Sequence, residues 1–372
     1  MAIQDGELKV KLRAFLNNAT AIEQNTDPDL LNLILRERVE RPVIYLGTST
    51  CGMVAGAGRT LQAINNYLSE KEIEAEVVEV GCIGLCSVEP VMDVQLPGRA
   101  RISFQRVTAD KVDYILDGIL NNELPVEDVS YQFHQSKSEP WHKVPFINQI
   151  PFFASQNRIV LKNCGVINPA DISEYIAGGG YRAFVKTIRN YTSEKVCTLV
   201  EESGLRGRGG GGYPTGLKWK TTLMTEDDDK FMICNADESD PGAFMDRSVI
   251  EGDPHRVIEG IAIAAYAIGA DKAYIYIRAE YDLALKRMKT ALQQAYEYGL
   301  LGNNVMDSGV NVFISIRQGA GAFVCGEETA LIASLEGRRG MPRNKPPFPA
   351  EHGLFEKPTV VNNVETLANI PA

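Results

Sequence analysis

Between Ser203 and Lys220 the chain reads SGLRGRGGGGYPTGLKWK, with seven glycines from Gly204 to Gly216. Regular structure does not tolerate that density, because ordering a glycine costs more backbone entropy than ordering any other residue. The run Gly204–Gly216 reads as a loop, and the flanking elements must be arranged around it. Glycine lets the backbone approach a ligand closely and turn successive N–H groups into one concavity, which suits a phosphate. Arg206, Arg208, Lys218 and Lys220 put positive charge around the same concavity. A flexible hinge would use the glycines, but not four cations and the Tyr213-Pro214 step beside them. Gly207-x-Gly209-x-x-Gly212 fits the dinucleotide fingerprint in spacing, yet a helical stretch precedes it where the fingerprint needs a strand. The phosphate-loop NTPase pattern fails: Gly211 and Gly216 are correctly spaced, but Leu217 stands where its lysine must be.

Two further clusters belong with this loop. CNADESDPG (234–242) follows the apolar run Lys230–Cys234, read as a buried strand, and ligands sit at the carboxyl ends of strands in open α/β sheets. Asparagine and acid side chains there can bond a planar heterocycle or ribose hydroxyls; an ordinary polar turn is the plainer alternative. GAGAFVCGEETALIASLEGRRGMPRNKPPFP sets Glu327 and Glu328 at a helix start, followed by a basic, proline-rich loop with Lys345 and Phe348. Adjacent carboxylates at a helix start also serve simply to complement its dipole.

At 372 residues the chain is long enough for two or three domains. Its 48 acidic against 38 basic residues give a net charge of −10, which disfavours a nucleic-acid surface. MAIQDGELKVKLRAFL spreads charge through its apolar positions, so it does not read as a signal peptide. No apolar run approaches the ~18 residues of a membrane span. Seven cysteines, an odd number, read as thiols or metal ligands of a cytoplasmic protein, peripheral to a membrane only through partner subunits.

Four textures follow one another. Residues 1–40 read as a helical lead segment, with Leu8, Leu12, Phe15 and Leu16 on one face and a second apolar run at 30–35. Residues 41–122 run strand, helix, three strands, helix, the order of a thioredoxin-like α/β domain. Residues 123–150, rich in proline and poor in periodicity, read as a linker. From 151 to 372, helices alternate with strands at 230–234, 272–277 and 311–316, which indicates a parallel sheet covered on both faces.

The stretches GLRGRGGGGYPTGLKW, CNADESDPG, GAFVCGEETALIASLEG and KPPFPAEHGLFEKPTVVNNVETL resemble the flavin- and NADH-binding subunit of respiratory complex I and its relatives in NAD-linked hydrogenases. The resemblance runs from Pro151 to Ala372. It implies a Rossmann-like flavoprotein domain that binds FMN and then NADH, an NADH dehydrogenase (diaphorase) module passing electrons to iron–sulfur subunits of a larger complex. Phosphate would be met by Gly207, Arg208, Gly209, Gly210, Gly212 and Lys218. The flavin would be held by Asn235, Asp237, Glu238, Asn362 and Asn363 with backbone near Phe323 and Gly326. Glu328 and Lys345 would meet the dinucleotide, and Tyr213 and Phe348 would stack on its adenine. The carboxylates expected at the catalytic centre are Glu238, Glu327 and Glu328. No nucleophile is required, so Cys234 and Cys325 read as packing residues. Asp240 stands where the family has an acid bordering the adenosine ribose, which would favour NADH over NADPH. Thr221 departs from an aromatic that completes the adenine stack in complex I members.

Cys82-Ile-Gly-Leu-Cys86 follows a strand and Cys51 precedes a helix, resembling the thioredoxin-like [2Fe–2S] domain of complex I, with metal ligands expected at Cys51, Cys82 and Cys86. That family carries C-x4-C and C-x3-C, and here the first position falls on Leu46. A cluster with Ser49 or Thr50 as substitute ligand and a fold that has lost its cluster both remain open. The family also continues past NNVETL into a domain with a [4Fe–4S] site, so the chain reads as a fragment, and a [4Fe–4S] cluster is expected only if it continues beyond residue 372. The competing function is a non-catalytic nucleotide-binding or docking subunit.

Overall fold

The computed structural model describes residues 5–17 and 27–372. The chain divides into two compact units, Thr26–Pro169 and Met1–Asn25 with Ala170–Ala372. The 1–40 lead segment is therefore not one piece. Helix α1 (Asp5–Asn17), which buries Leu12 and Leu16, belongs to the second unit, and α2 (Pro28–Ile34) belongs to the first. The Asp27-Pro28 step starts α2: the Asp27 side chain accepts from the backbone N–H groups of Asp29 and Leu30, and proline occupies the first turn, where its missing N–H costs nothing. Residues 18–26 of the expected lead segment lie outside the described residues.

The front unit holds β1 (Val43–Gly47), α3 (Thr50–Ala55), α4 (Ala57–Glu70), β2 (Glu76–Val80), β3 (Met92–Gln95), β4 (Ile102–Phe104), α5 (Val112–Leu120), β5 (Val129–Gln132) and α6 (Pro151–Ala154). Its sheet runs β2-β1-β3-β4-β5, with β1 and β2 parallel and the remaining pairs antiparallel. A βαβ unit followed by a ββα unit is the thioredoxin-like arrangement expected from the element order. Ile44, Leu46, Met92, Ile102 and Phe104 pack from the sheet against Ile64, Ile115 and Leu116 of α4 and α5.

The expected linker, residues 123–150, is instead part of this unit. Strand β5 pairs with β4, Ser103 opposite Tyr131, and the side chain of Gln132 donates to the carbonyls of Trp141 (3.0 Å) and Val144 (2.7 Å). Trp141 is buried in the core and donates from Nε1 to Ala100 O (2.8 Å). A four-residue edge strand, VSYQ, is too short to show a period, and the prolines around it dominate the sequence signal. The boundary at 151 also shifts. Phe153 packs edge-on against Tyr131, and residues through Pro169 remain with the front unit.

The second unit continues with α7 (Ile172–Ala177), α8 (Arg182–Asn190), α9 (Ser193–Glu202), α10 (Thr215–Met224), β6 (Phe231–Ala236), α11 (Met245–Gly252), α12 (Pro254–Ile268), β7 (Lys272–Arg278), α13 (Asp282–Glu297), β8 (Phe313–Gly319), α14 (Glu328–Leu335), β9 (Thr359–Asn363) and α15 (Val364–Ala368). Its sheet is wholly parallel, in the order β8-β7-β6-β9. The chain builds outward from β6 through β7 to β8, then returns to place β9 on the other side of β6. That reversal opens a crevice at the carboxyl ends of β6 and β9, the switch point where ligands bind in doubly wound folds.

Helix α12 is almost wholly buried, and its polar residues are accordingly satisfied. Glu259 accepts from Tyr175 Oη (2.6 Å), Tyr181 N (2.8 Å) and Phe184 N (3.1 Å), tying α7 and α8 to the core. His255 lies between Tyr181 Oη (3.0 Å) and Gln294 Oε1 (3.1 Å).

Candidate functional site

A cavity of about 550 Å³ opens at the switch point. The glycine loop forms one wall. Gly207 N donates to Tyr213 O (2.9 Å) and Arg206 Nε to Gly212 O (2.6 Å), so the loop closes on itself. Gly210 and Gly212 have positive φ, which side chains with a Cβ rarely adopt. At Gly209 the reason is close approach: an added Cβ would stand 3.0 Å from Asn363 Cβ. The loop is pinned to the β9–α15 turn by Arg208 N, which donates to Thr366 Oγ1 (2.8 Å).

Strand ends supply the floor. Asn235 and Asn363 are paired across β6 and β9, with Asn362 beside them. Asn235 Nδ2 donates to Gly326 O (2.9 Å), and Asn362 Oδ1 accepts from the buried Trp219 Nε1 (2.8 Å). Asn363 is tied at both ends: Nδ2 donates to Asp246 Oδ2 (2.6 Å) and Oδ1 accepts from Thr366 N (3.2 Å), capping α15. Thr215 Oγ1, on a residue of the cavity wall, is buried without a hydrogen-bond partner.

Charge enters from α10, α14 and the loop after α14. Lys218 Nζ reaches Glu328 Oε2 (3.0 Å) and Val361 O (3.1 Å), while Lys345 Nζ reaches Glu328 Oε1 (2.6 Å) and Glu327 Oε1 (3.0 Å). Burial would raise the Glu328 carboxyl, but the two ammonium groups outweigh it and hold the pKa below the ordinary value. Glu327 also caps α14, accepting from Thr329 N and Ala330 N. The aromatic rings of Tyr213 and Phe348 line the cavity and are about half exposed.

Of the residues singled out in the sequence, Gly207, Gly209, Gly212, Tyr213, Lys218, Asn235, Gly326, Glu328, Lys345, Phe348, Asn362 and Asn363 meet around this cavity. Arg208, Gly210, Asp237, Glu238, Asp240, Phe323 and Glu327 do not form its wall. Glu238 faces α11 instead, its carboxylate accepting from Asp246 N (3.0 Å) and Arg247 N (3.1 Å). Asp240 and Phe323 are exposed. Asp237 lies behind Gly326, with Oδ1 buried and unpartnered, and burial raises its pKa. Sequence reasoning missed Thr215, Val361 and Thr366 on the wall. The β-branched run Thr359-Val360-Val361 after Pro358 is the available signal for β9.

Behind the wall, burial and then the Glu238 charge push Asp246 up to about 7. Cys234 and Cys325 are buried. Burial, reinforced by Asp246, pushes the Cys234 thiol up, which suits packing and not nucleophilic chemistry. In the front unit, Cys51 is the second residue of α3, Cys82 is buried in the turn after β2, and Cys86 is exposed. No helix of the described residues is long and apolar enough to cross a membrane.

Residues 200–372 match the Nuo51 FMN-binding domain. The chain is 59% identical over 217 residues to the NADP-reducing hydrogenase subunit HndC of Solidesulfovibrio fructosivorans, covering 58% of this chain and 44% of that one. It is 53% identical over 213 residues to an NADH-quinone oxidoreductase subunit of Rhizobium meliloti (strain 1021), covering 57% and 51%. Against an NADH-quinone oxidoreductase subunit of Aquifex aeolicus (strain VF5) it is 54% identical over 200 residues, covering 54% and 46%. The chain thus spans about half the length of the curated relatives it matches.

Proposed function

We propose that this chain is the NADH-oxidising, FMN-binding module of a larger electron-transfer complex, of the complex I or NAD-linked hydrogenase type. The observation that carries the reading is the cavity at the β6/β9 switch point, where a glycine loop, two lysines and two exposed aromatic rings converge. Thr215 Oγ1, buried and without a partner, and the glycines that leave the wall without side chains fit a polar planar ligand carrying phosphate. Asn235, Asn362, the glycine loop and Lys218 would hold FMN. Bound there, FMN supplies a two-electron acceptor that can release electrons singly to iron–sulfur centres.

The chain's own residues bind and orient. Lys218 and Lys345 offer positive charge to the phosphates of the two ligands, and Glu328 fixes both ammonium groups in place. Tyr213 and Phe348 offer faces for a purine. Asn363, tied to Asp246 and Thr366, keeps the loop wall in register. No side chain is asked to act as general acid or nucleophile. Partners are iron–sulfur acceptor subunits, and the working location is the cytoplasm.

The test is an anaerobic titration of the purified chain with FMN, followed by NADH. Saturable flavin binding, then bleaching of the flavin band by NADH, is the expected result. Flavin that never binds, or binds and stays oxidised, overturns the dehydrogenase reading in favour of a non-catalytic docking subunit.

A further inference from the structure

The thioredoxin-like front unit carries Cys51, Cys82 and Cys86, and its family resemblance implies a [2Fe–2S] cluster. Its donor set does not fit that group. Such a cluster takes four thiolate ligands. Position 46, where the pattern puts the first, is a leucine in the middle of β1. Its backbone is paired with Glu79 on one side and Met92 on the other. Its side chain is fully buried among Ile44, Met92 and Ile64. Among the described residues, no three His, Cys, Asp or Glu side chains converge to hold a metal ion.

Cys82 is buried in the protein around it, while Cys86 is exposed. Cys82 Sγ accepts from Gly84 N (3.2 Å), and Glu89, whose charge acts on the same thiol, accepts from Val91 N (3.1 Å). The Cys82 turn is then closed over by the segment 158–166. Arg158 Nη1 donates to Ile83 O (2.7 Å) and Nη2 to Leu161 O (2.9 Å), while Gly165 packs so tightly on Ile83 that a Cβ there would stand 2.9 Å from its Cδ1. Arg101 holds the same segment through Gly165 O (2.7 Å) and Val166 O (2.9 Å). The cavity bounded by Gly47, Gly81 and Glu89 has a volume of only about 10 Å³, at the threshold for holding one water.

We propose that the front unit is a cluster-free thioredoxin-like domain, and that Leu46 is the position that makes it so. An aliphatic side chain built into the core stands where the fourth thiolate would be. Electrons leaving a flavin at the β6/β9 site would not pass through these cysteines. The proposal stands whether or not the flavin reading holds, because it concerns iron content alone. One oxygen donor competes with it: Ser49, which is buried, with Oγ lacking a hydrogen-bond partner.

The experiment is anaerobic reconstitution of the full chain with ferrous iron and sulfide. Protein-bound iron, acid-labile sulfide and the electron paramagnetic resonance spectrum after dithionite reduction are then measured for the unaltered chain, Cys82→Ser, Ser49→Ala and Leu46→Cys. The expected result is iron and sulfide in the unaltered chain no higher than in Cys82→Ser, and one cluster per chain with a reduced [2Fe–2S] signal in Leu46→Cys. One cluster per chain in the unaltered protein, lost in Cys82→Ser, overturns the proposal; its further loss in Ser49→Ala would identify the serine as ligand. A folded Leu46→Cys, checked by circular dichroism, that acquires no cluster overturns the assignment of Leu46 as the deciding position. The unaltered-chain arm needs no variant to fold.

Discussion

Lys218 and Lys345 meet on a single carboxylate, Nζ of the first 3.0 Å from Glu328 Oε2 and Nζ of the second 2.6 Å from Oε1. Two like charges are thereby held at one end of the cavity from helices and loops distant in sequence. Glu328→Gln keeps the shape and removes the charge that balances them. Because the pair is only partly buried, a loss of about 1–2 kcal/mol at pH 7 is expected, between exposed and buried ion pairs. The Glu328 pKa is depressed in the folded state, so its contribution is present above the unfolded value and is lost as pH falls through the folded one. Urea unfolding at pH 7 should separate the two proteins, and the gap should close in acid. A gap that persists undiminished in acid would show that the carboxylate's charge is not the source.

Gly209 is the point where the glycine loop touches β9. Asn363 cannot retreat from an added methyl group, because its amide is tied to Asp246 at 2.6 Å and to Thr366 N at 3.2 Å. Gly209→Ala must therefore displace the loop. A roughly tenfold weaker FMN affinity, about 1.4 kcal/mol, is expected with little change in melting temperature. Unchanged flavin affinity would place the ligand away from this wall.

Much of this architecture is legible in the sequence, and the gaps share a physical cause. Pro254–Ile268 and Ser193–Glu202 have clear starts, and the structure has helices over the same residues. Strand β9 escapes a sequence reading because its five residues carry a ligand motif whose asparagines mask the β-branched run before them. Helix α10 is hidden by the glycines that precede it, and α11 by the polar turn that Glu238 caps. At the site, residue type gives the phosphate and purine chemistry, but not which carboxylates face inward. Glu328 points to the lysines and Glu238 to a helix start, a distinction set by tertiary packing alone.

Two buried groups behind the sheet oppose one another in acid. His255 is pushed down by burial from 6.5 to about 4, so the unfolded chain takes up a proton that the folded one refuses, and stability falls as pH drops through that window. Asp246 is pushed up from 3.8 to about 7, so its contribution falls as pH rises. Each slope is about 1.4 kcal/mol per pH unit, and between about pH 4.5 and 6.5 they cancel. His255→Asn removes the first. Relative to the unaltered protein, the variant should gain about 2–3 kcal/mol on going from about pH 6.5 to 4.5. Parallel pH profiles in urea unfolding would show that His255 is not held neutral.

In the front unit, Arg101 and Asp93 form a buried ion pair. Arg101 Nε (2.8 Å) and Nη2 (2.6 Å) both donate to Asp93 Oδ2, while Oδ1 has no hydrogen-bond partner. Arg101→Met would strand a buried carboxylate, at a cost of about 3–5 kcal/mol. It would also free the carbonyls of Gly165 and Val166. Limited proteolysis should then cut between residues 155 and 169 before any other site of the front unit. A cut elsewhere first would mean that this segment is held by other contacts.

Thr221 lines the cavity from α10, on the face that also carries Lys218, and its hydroxyl turns back to Leu217 O (3.0 Å). It therefore offers a methyl group, where an aromatic ring would offer a third stacking face beside Tyr213 and Phe348. The side chain is exposed, so a larger one is not forced into the core. Thr221→Phe should add one stacking contact, worth about 1 kcal/mol and so about fivefold in affinity. With adenine as the group that gains the contact, the Kd for NADH should fall while the Kd for FMN is unchanged, and ADP-ribose should show the same gain as NADH. A gain for NADH without one for ADP-ribose would put the nicotinamide, not the adenine, against this helix.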